Sequence, residues 1–146
     1  VPIIAAGGMV DGSTMAAAFA LGAEGIQMGT RMVSAAESPV HQNWKDAIIN
    51  AAETDTVFLN RFGSPALRAL RTERTSRLER DPGDNIMKEF GRTLDLYFGG
   101  DMEAAIALTG QVAGRIDSVK PVREIIEQTM TGFHAAMARL KSAYAG

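Results

Sequence analysis

The sequence predicts an α/β fold that opens with parallel βα steps and continues into a mostly helical region. Three observations carry that reading. Residues 1–6 are continuously apolar and rich in β-branched side chains, and Gly7-Gly8 stops them. Apolarity without alternation suits a strand covered on both faces, as in a parallel sheet. Residues 14–21 are rich in Ala, a strong helix former, and follow Asp11-Gly12-Ser13, a helix-starting cluster. Residues 24–29 form a second short, half-apolar segment, again ended by glycine. Strand, Gly-Gly, helix, Gly22 as the helix stop, strand and Gly29 together span about 30 residues, the size of one βαβ unit.

Beyond Thr30 the pattern changes. Residues 31–36 read as a short helix. Ser38-Pro39 opens another, with Trp44, Ala47, Ile48 and Ala51 on one face. Residues 56–59 read as extended. Pro65 suits the first turn of a helix over 65–80, and residues 81–84 read as a turn. A helix is expected over 86–98, ending at Gly99-Gly100. Asp101 would cap a further one carrying Ala104, Ala105 and Leu108. A long amphipathic helix is expected over 122–144, with Ile125, Ile126, Thr129, Phe133, Met137 and Leu140 near one face. No internal repeat or low-complexity tract is present.

Composition narrows the function. The 146 residues carry 15 Lys+Arg against 17 Asp+Glu, a net charge of −2. That balance argues against a nucleic-acid binder, which needs a concentrated basic surface. The 46% hydrophobic and 22% charged content is that of a globular protein. Cysteine is absent, which removes disulfides, thiolate nucleophiles and cysteine-based metal sites. No apolar run is long enough to span a membrane and no signal peptide is visible, so the cytoplasm is the expected location. A strand-like start without Met or a polar lead predicts the C-terminal part of a longer protein.

The two glycine-ended strands are the chemically informative feature. Side by side and parallel, they would bring both following loops to one sheet edge, about 5 Å apart. Glycines lack a Cβ, so backbone N–H groups there can approach a ligand closely. A helix N-terminus beside them would add donors and partial positive charge, an arrangement suited to phosphate. The Thr30 hydroxyl is a further donor. Either Gly loop alone reads as an ordinary turn; the pair, one βα unit apart, favours the phosphate. Neither a Walker lysine nor a GxGxxG followed by a ribose-binding acid is present.

The residues that carry this pattern also carry a resemblance. The run Pro2-Ile3-Ile4-Ala5-Ala6-Gly7-Gly8-Met9-Val10-Asp11-Gly12, with residues 16–32 ending in Gln27-Met28-Gly29-Thr30-Arg31-Met32, closely resembles the FMN-dependent nitronate monooxygenase family. That family, formerly 2-nitropropane dioxygenase, includes NAD(P)H:quinone reductases and the FMN-dependent enoyl-ACP reductase II. The segment Gly110-Gln111-Val112-Ala113-Gly114-Arg115-Ile116 is similar to one in its C-terminal helical part. The resemblance implies a TIM (β/α)8 barrel entered at about strand seven, with residues 1–55 forming the last βα units and 56–146 a helical region packed on the barrel. It implies FMN, its phosphate held by Gly7, Gly8, Gln27, Met28, Gly29 and Thr30. It places the catalytic histidine upstream, so no catalytic residue is expected in this chain. The implied reaction is oxidation of a nitronate with O2. The alternative is NAD(P)H-driven reduction of a quinone or an enoyl thioester, and a homo-oligomer is compatible with either. Two further readings remain. One is another phosphate-binding barrel such as the IMP dehydrogenase group, whose cysteine nucleophile this chain lacks. The other is an inactive fragment that binds phosphate or pairs with a complementary half-barrel.

Other chemistry-bearing residues read more plainly. His41 has no acid, base or nucleophile placed near it by sequence, so a surface or capping role is expected. His134 reads as a helix-face residue. Arg68, Arg71, Arg74, Arg77 and Arg80 recur every three residues; on one helix they would wind around the axis and not line a groove, which fits an ion-paired face. Met28 falls inside the proposed phosphate loop, and the other methionines read as packing elements. Gln111 reads equally as a residue at the flavin mouth and as part of a segment whose glycines allow close packing.

Overall fold

The computed structural model describes residues 1–81, 83 and 85–144. The first βαβ unit forms as expected. Strand β1 (Ile4–Ala6) pairs in parallel with β2 (Gly25–Gln27), with Ala6 opposite Gln27. Helix α1 (Gly12–Ala20) joins them and starts from an Asp11 capping box. The Thr14 N–H donates to Asp11 Oδ1 at 2.8 Å, and the Asp11 N–H donates to Thr14 Oγ1 at 3.1 Å. Gly22 follows the helix with φ +99°, the left-handed stop that glycine adopts without a Cβ penalty.

Helix α2 (Thr30–Val33) and helix α3 (Gln42–Ile49) come next. Trp44 and Ile48 are buried, and Ala47 and Ala51 pack against the same cluster, so the apolar face read from the sequence is the core face. Trp44 meets the Tyr97 ring edge-on at 5.0 Å between centroids.

The middle of the chain departs from expectation. Residues 65–80 do not form one helix. Strand β3 (Thr56–Leu59) pairs antiparallel with β4 (Leu67–Leu70), and helix α4 starts only at Glu73, running to Arg80. Leu67, Arg68, Ala69 and Leu70 favour helix locally, but pairing with β3 buries Ala69 with Val57 and Leu59 in a second core and turns Leu70 to the core around Trp44 and Ile48. The arginine series is therefore split. Arg68 lies in β4 and Arg71 follows it, with only Arg74, Arg77 and Arg80 on α4. The turn read over 81–84 includes Pro82 and Asp84, which lie outside the described residues.

The helix expected over 86–98 resolves into a 3-10 turn, Ile86–Glu89, and a short helix α5 (Thr93–Tyr97). Gly91, with φ +80°, lies between them and pairs with Ala105. No helix forms over 101–108; a turn closed by the Ala104 N–H on Asp101 O leads into an extended stretch from Ala105, with Leu108 bridged to Ala69 and the Leu70 N–H donating to Ala107 O. Ala104, Ala105, Ile106 and Ala107 are all buried, so pairing of 104–106 with residues 90–92 and of 107–109 with β4 wins over alanine's helix preference. A 3-10 turn, Gln111–Arg115, leads to helix α6 (Val122–Tyr144).

Helix α6 packs on α1. Gly12 allows the crossing, since a Cβ there would lie 2.0 Å from the Phe133 nitrogen. Phe19 and Phe133 meet edge-on beside it. The buried face of α6 is Ile125, Thr129 and Ala136; Ile126, Met137 and Leu140 are exposed, contrary to the expected stripe.

Candidate cofactor cradle

The ends of β1 and β2 open into one cavity of about 220 Å³. Ala6, Gly7, Gly8 and Met9 line it from the first loop, and Gln27, Gly29 and Thr30 from the second. Of the six residues expected to bind the cofactor, five are brought together here; Met28 is not among the lining residues. At successive positions of an extended segment side chains alternate in direction, which separates Met28 from its neighbours Gln27 and Gly29.

The cavity wall is main chain. Gly7 and Gly8 have φ values of +82° and +73°, and a Cβ at Gly7, Gly8 or Gly29 would meet nothing within 4 Å. Among the described residues, the N–H groups of Gly8, Gly29 and Thr30 find no protein acceptor, while Gly7 and Met28 directly follow the paired residues Ala6 and Gln27. Unpaired donors facing an open cavity with no carboxylate in its wall suit an anion. The residues therefore fit the phosphate end of a flavin mononucleotide. The expected contribution of the α1 N-terminus is not seen, because its own Asp11 caps it and none of its residues lines the cavity.

The C-terminal part of the chain closes the wall. Gly110 and Val112 line the cavity, and the Gly110 N–H donates to Thr30 Oγ1 at 2.8 Å. Gln111, which reads from sequence equally as a flavin-mouth residue and as part of a close-packing segment, is exposed and absent from the lining. Gly114 allows close packing: a Cβ there would sit 2.5 Å from the Glu53 nitrogen.

A family model described as nitronate monooxygenase matches residues 1–132. The chain belongs to the nitronate monooxygenase family. A probable nitronate monooxygenase of Staphylococcus aureus strain JH9 is 39% identical over 143 residues, covering 94% of this chain and 40% of that protein. The corresponding protein of strain MSSA476 is 33% identical over the same length. FabK from Thermotoga maritima superposes with a TM-score of 0.89 at 40% identity, over 97% of this chain and 47% of that one. Nitroalkane oxidase from Streptomyces ansochromogenes gives a TM-score of 0.73 at 23% identity over 96% of this chain and 41% of that one, a likeness of fold. The chain thus spans about 40% of the length of the curated relatives it matches.

Behind the cradle, Arg31 fastens this family segment to the rest of the chain. It is buried, and its Nη1 donates to Ser118 O at 2.8 Å and to Ser34 Oγ at 3.1 Å. Burial pulls its pKa below the usual guanidinium value, while Asp117 and Glu124 act in the opposite sense. The exposed Asp117 carboxyl is held below the ordinary carboxylate range, first by the Ser118 hydroxyl and its own backbone N–H, then by Lys120 and Arg31. His41 is the N-cap of α3, its Nδ1 accepting from the Asn43 N–H at 3.1 Å, so the capping role is the one observed. His134 is exposed on α6 beside the Phe133 ring. Among the described residues no cluster of His, Asp or Glu is arranged to hold a metal ion, and no helix is long and apolar enough to cross a membrane.

Proposed function

We propose that this chain forms the last two βα steps and the C-terminal region of an FMN-dependent (β/α)8-barrel oxidoreductase of the cytoplasm, acting on alkyl nitronates with O2. Residues 1–55 supply the barrel steps, and residues 56–146 pack on them. One observation carries the reading: two parallel strand ends, β1 and β2, open their unpaired N–H groups into a single glycine-walled cavity.

In this reading the N–H groups of Gly7, Gly8, Met28 and Gly29 and the Thr30 hydroxyl donate to the flavin phosphate. Gln27 stands at the rim of the same cavity. The positive φ of Gly7 and Gly8 presents the main chain without side-chain obstruction. Held by these donors, a flavin would supply the redox chemistry between substrate and O2. The role of this chain is to anchor and orient. No acid or base of the described residues lines the cavity, in keeping with a proton-transferring histidine elsewhere in the barrel.

The second reading, reduction of a quinone or enoyl thioester with NAD(P)H, uses the same anchor; the likeness to FabK fits it. The test is made on the full-length protein. Flavin released by denaturation is expected to be FMN, and adding a nitronate is expected to produce O2 uptake. Flavin bleaching by NAD(P)H without nitronate-dependent O2 uptake would select the second reading. A full-length protein that binds riboflavin as tightly as FMN would sink the phosphate anchor common to both.

A further inference from the structure

We propose that Gly110 is a positioning residue for the flavin phosphate: its backbone N–H fixes the direction in which the Thr30 hydroxyl donates. The inference rests on the phosphate reading above and adds to it a residue 80 positions away in the chain.

A threonine hydroxyl has one proton and two lone pairs. Left free, it rotates, and it can spend its proton on a nearby carbonyl, as Thr129 does on Ile125 O at 2.8 Å. Thr30 behaves differently. Its Oγ1 accepts from the Gly110 N–H at 2.8 Å, and among the described residues it donates to no protein acceptor. One lone pair is thus committed on the Gly110 side, and the proton is turned away from that N–H. Thr30 is nearly buried and lines the cavity, so the open direction for the proton is the cavity itself. The hydroxyl is held as a donor before any ligand arrives, which removes the ordering cost that a free rotor would carry.

Gly110 is itself held rigidly. The preceding residue, Thr109, is buried. Its N–H donates to Arg68 O at 3.1 Å, its Oγ1 donates to Ala107 O at 3.0 Å, and it accepts from Trp44 Nε1 at 3.3 Å. The β3–β4 unit and α3 therefore set where the Gly110 N–H points. The absence of a side chain at Gly110 also matters. Its φ of −69° and ψ of 157° suit any residue. A Cβ there would nonetheless lie 3.0 Å from Thr30 Oγ1, and its next neighbour would be Val112 Cγ1 at 3.8 Å. A methyl group at this position thus presses on one polar atom and little else.

The test measures FMN and riboflavin affinities of the full-length protein by flavin fluorescence quenching, for Gly110→Ala, Thr30→Val and the double variant. Both single substitutions are expected to weaken FMN roughly tenfold, the loss of a hydrogen bond to a charged group, and to leave riboflavin within about twofold. The double variant is expected to be no weaker than Thr30→Val alone, because the two act through one hydroxyl. Thr30→Ser, which keeps the hydroxyl, should retain FMN affinity. If Thr30→Val costs FMN affinity but Gly110→Ala does not, or if the two losses add, Gly110 does not position Thr30. Equal loss of FMN and riboflavin in Gly110→Ala makes the residue merely structural. Unchanged FMN affinity in Thr30→Val removes Thr30 as a phosphate donor and the inference with it, whereas equal FMN and riboflavin affinity in the unsubstituted protein removes the phosphate reading beneath it.

Discussion

Gly8 carries two separate demands, and they can be measured apart. Its φ of +73° is a region where an L side chain costs about 1–2 kcal/mol. Its missing Cβ also leaves open the space that a phosphate would occupy. Gly8→Ala should therefore lower the thermal midpoint by a few degrees, and it should weaken FMN binding by more than riboflavin binding. Equal losses for the two flavins would reduce Gly8 to a turn residue. The difference between what was legible and what was not is clear at this scale. Gly7, Gly8, Gln27, Gly29 and Thr30 lie within about one βα unit, so strand pairing alone predicts their convergence. Gly110 reaches the same cavity across 80 residues, through an extended segment whose path is set by tertiary pairing. No local pattern encodes that approach.

Among the elements, α1 and α6 make the closest crossing, and Gly12 is the reason they can. A Cβ at Gly12 would lie 2.0 Å from the Phe133 nitrogen and 2.3 Å from the Gly132 carbonyl carbon, both main-chain atoms that cannot rotate away. Gly12→Ala must push the helices apart, loosening the Phe19–Phe133 edge contact. The expected cost is at least about 3 kcal/mol, a fall of roughly 10 °C in thermal midpoint. Ser13→Ala, on the exposed side of the same turn, is the control and should change little. Equal midpoints for the two variants would show that the crossing does not bear on stability. Elements with strong local signals were readable: the capped α1, the β-branched β1 and the amphipathic α3 and α6. Strand β3 was readable too, but its partner β4 and the extended segment at 105–108 were not. Leu67–Leu70 and the alanines at 105 and 107 are helix formers by intrinsic preference, and they become extended because burying Ala69 and Ile106 with Val57, Leu59 and Leu78, and Leu70, Ala105 and Ala107 with Trp44 and Ile48, outweighs a preference of a few tenths of a kcal/mol per residue. The same local preference underlies the apparent arginine helix over 65–80, of which Leu67–Leu70 is strand and only Glu73–Arg80 is helix.

For the whole molecule, the telling feature is where apolar surface stays uncovered. Two cores are closed, one around Trp44 and Ile48 and one around Val57 and Leu59. The β1–β2 sheet, by contrast, has two strands among the described residues and leaves Ile3 and Ile4 more than half exposed, at 61% and 57%. A groove of about 330 Å³, almost wholly apolar, runs from Ile3 and Ala5 to Leu21. A two-stranded parallel sheet with open edges is not stable in water by itself, and each free edge is a template for pairing. On the barrel reading this face is covered by other strands, which agrees with a chain spanning about 40% of its relatives' length. Produced as these 146 residues alone, the chain is therefore expected to self-associate through β1, with concentration-dependent mass in light scattering and dye binding to exposed apolar surface. Replacing Ile3 and Ile4 with Lys should shift it toward monomer, because like charges on facing edges repel across any copy-to-copy pairing. The Trp44 core is remote from the substitution and should keep its near-ultraviolet signal. If the unsubstituted chain is monomeric at every concentration and binds no dye, the exposed β1 face is not an unmet packing surface, and the barrel reading loses its physical support.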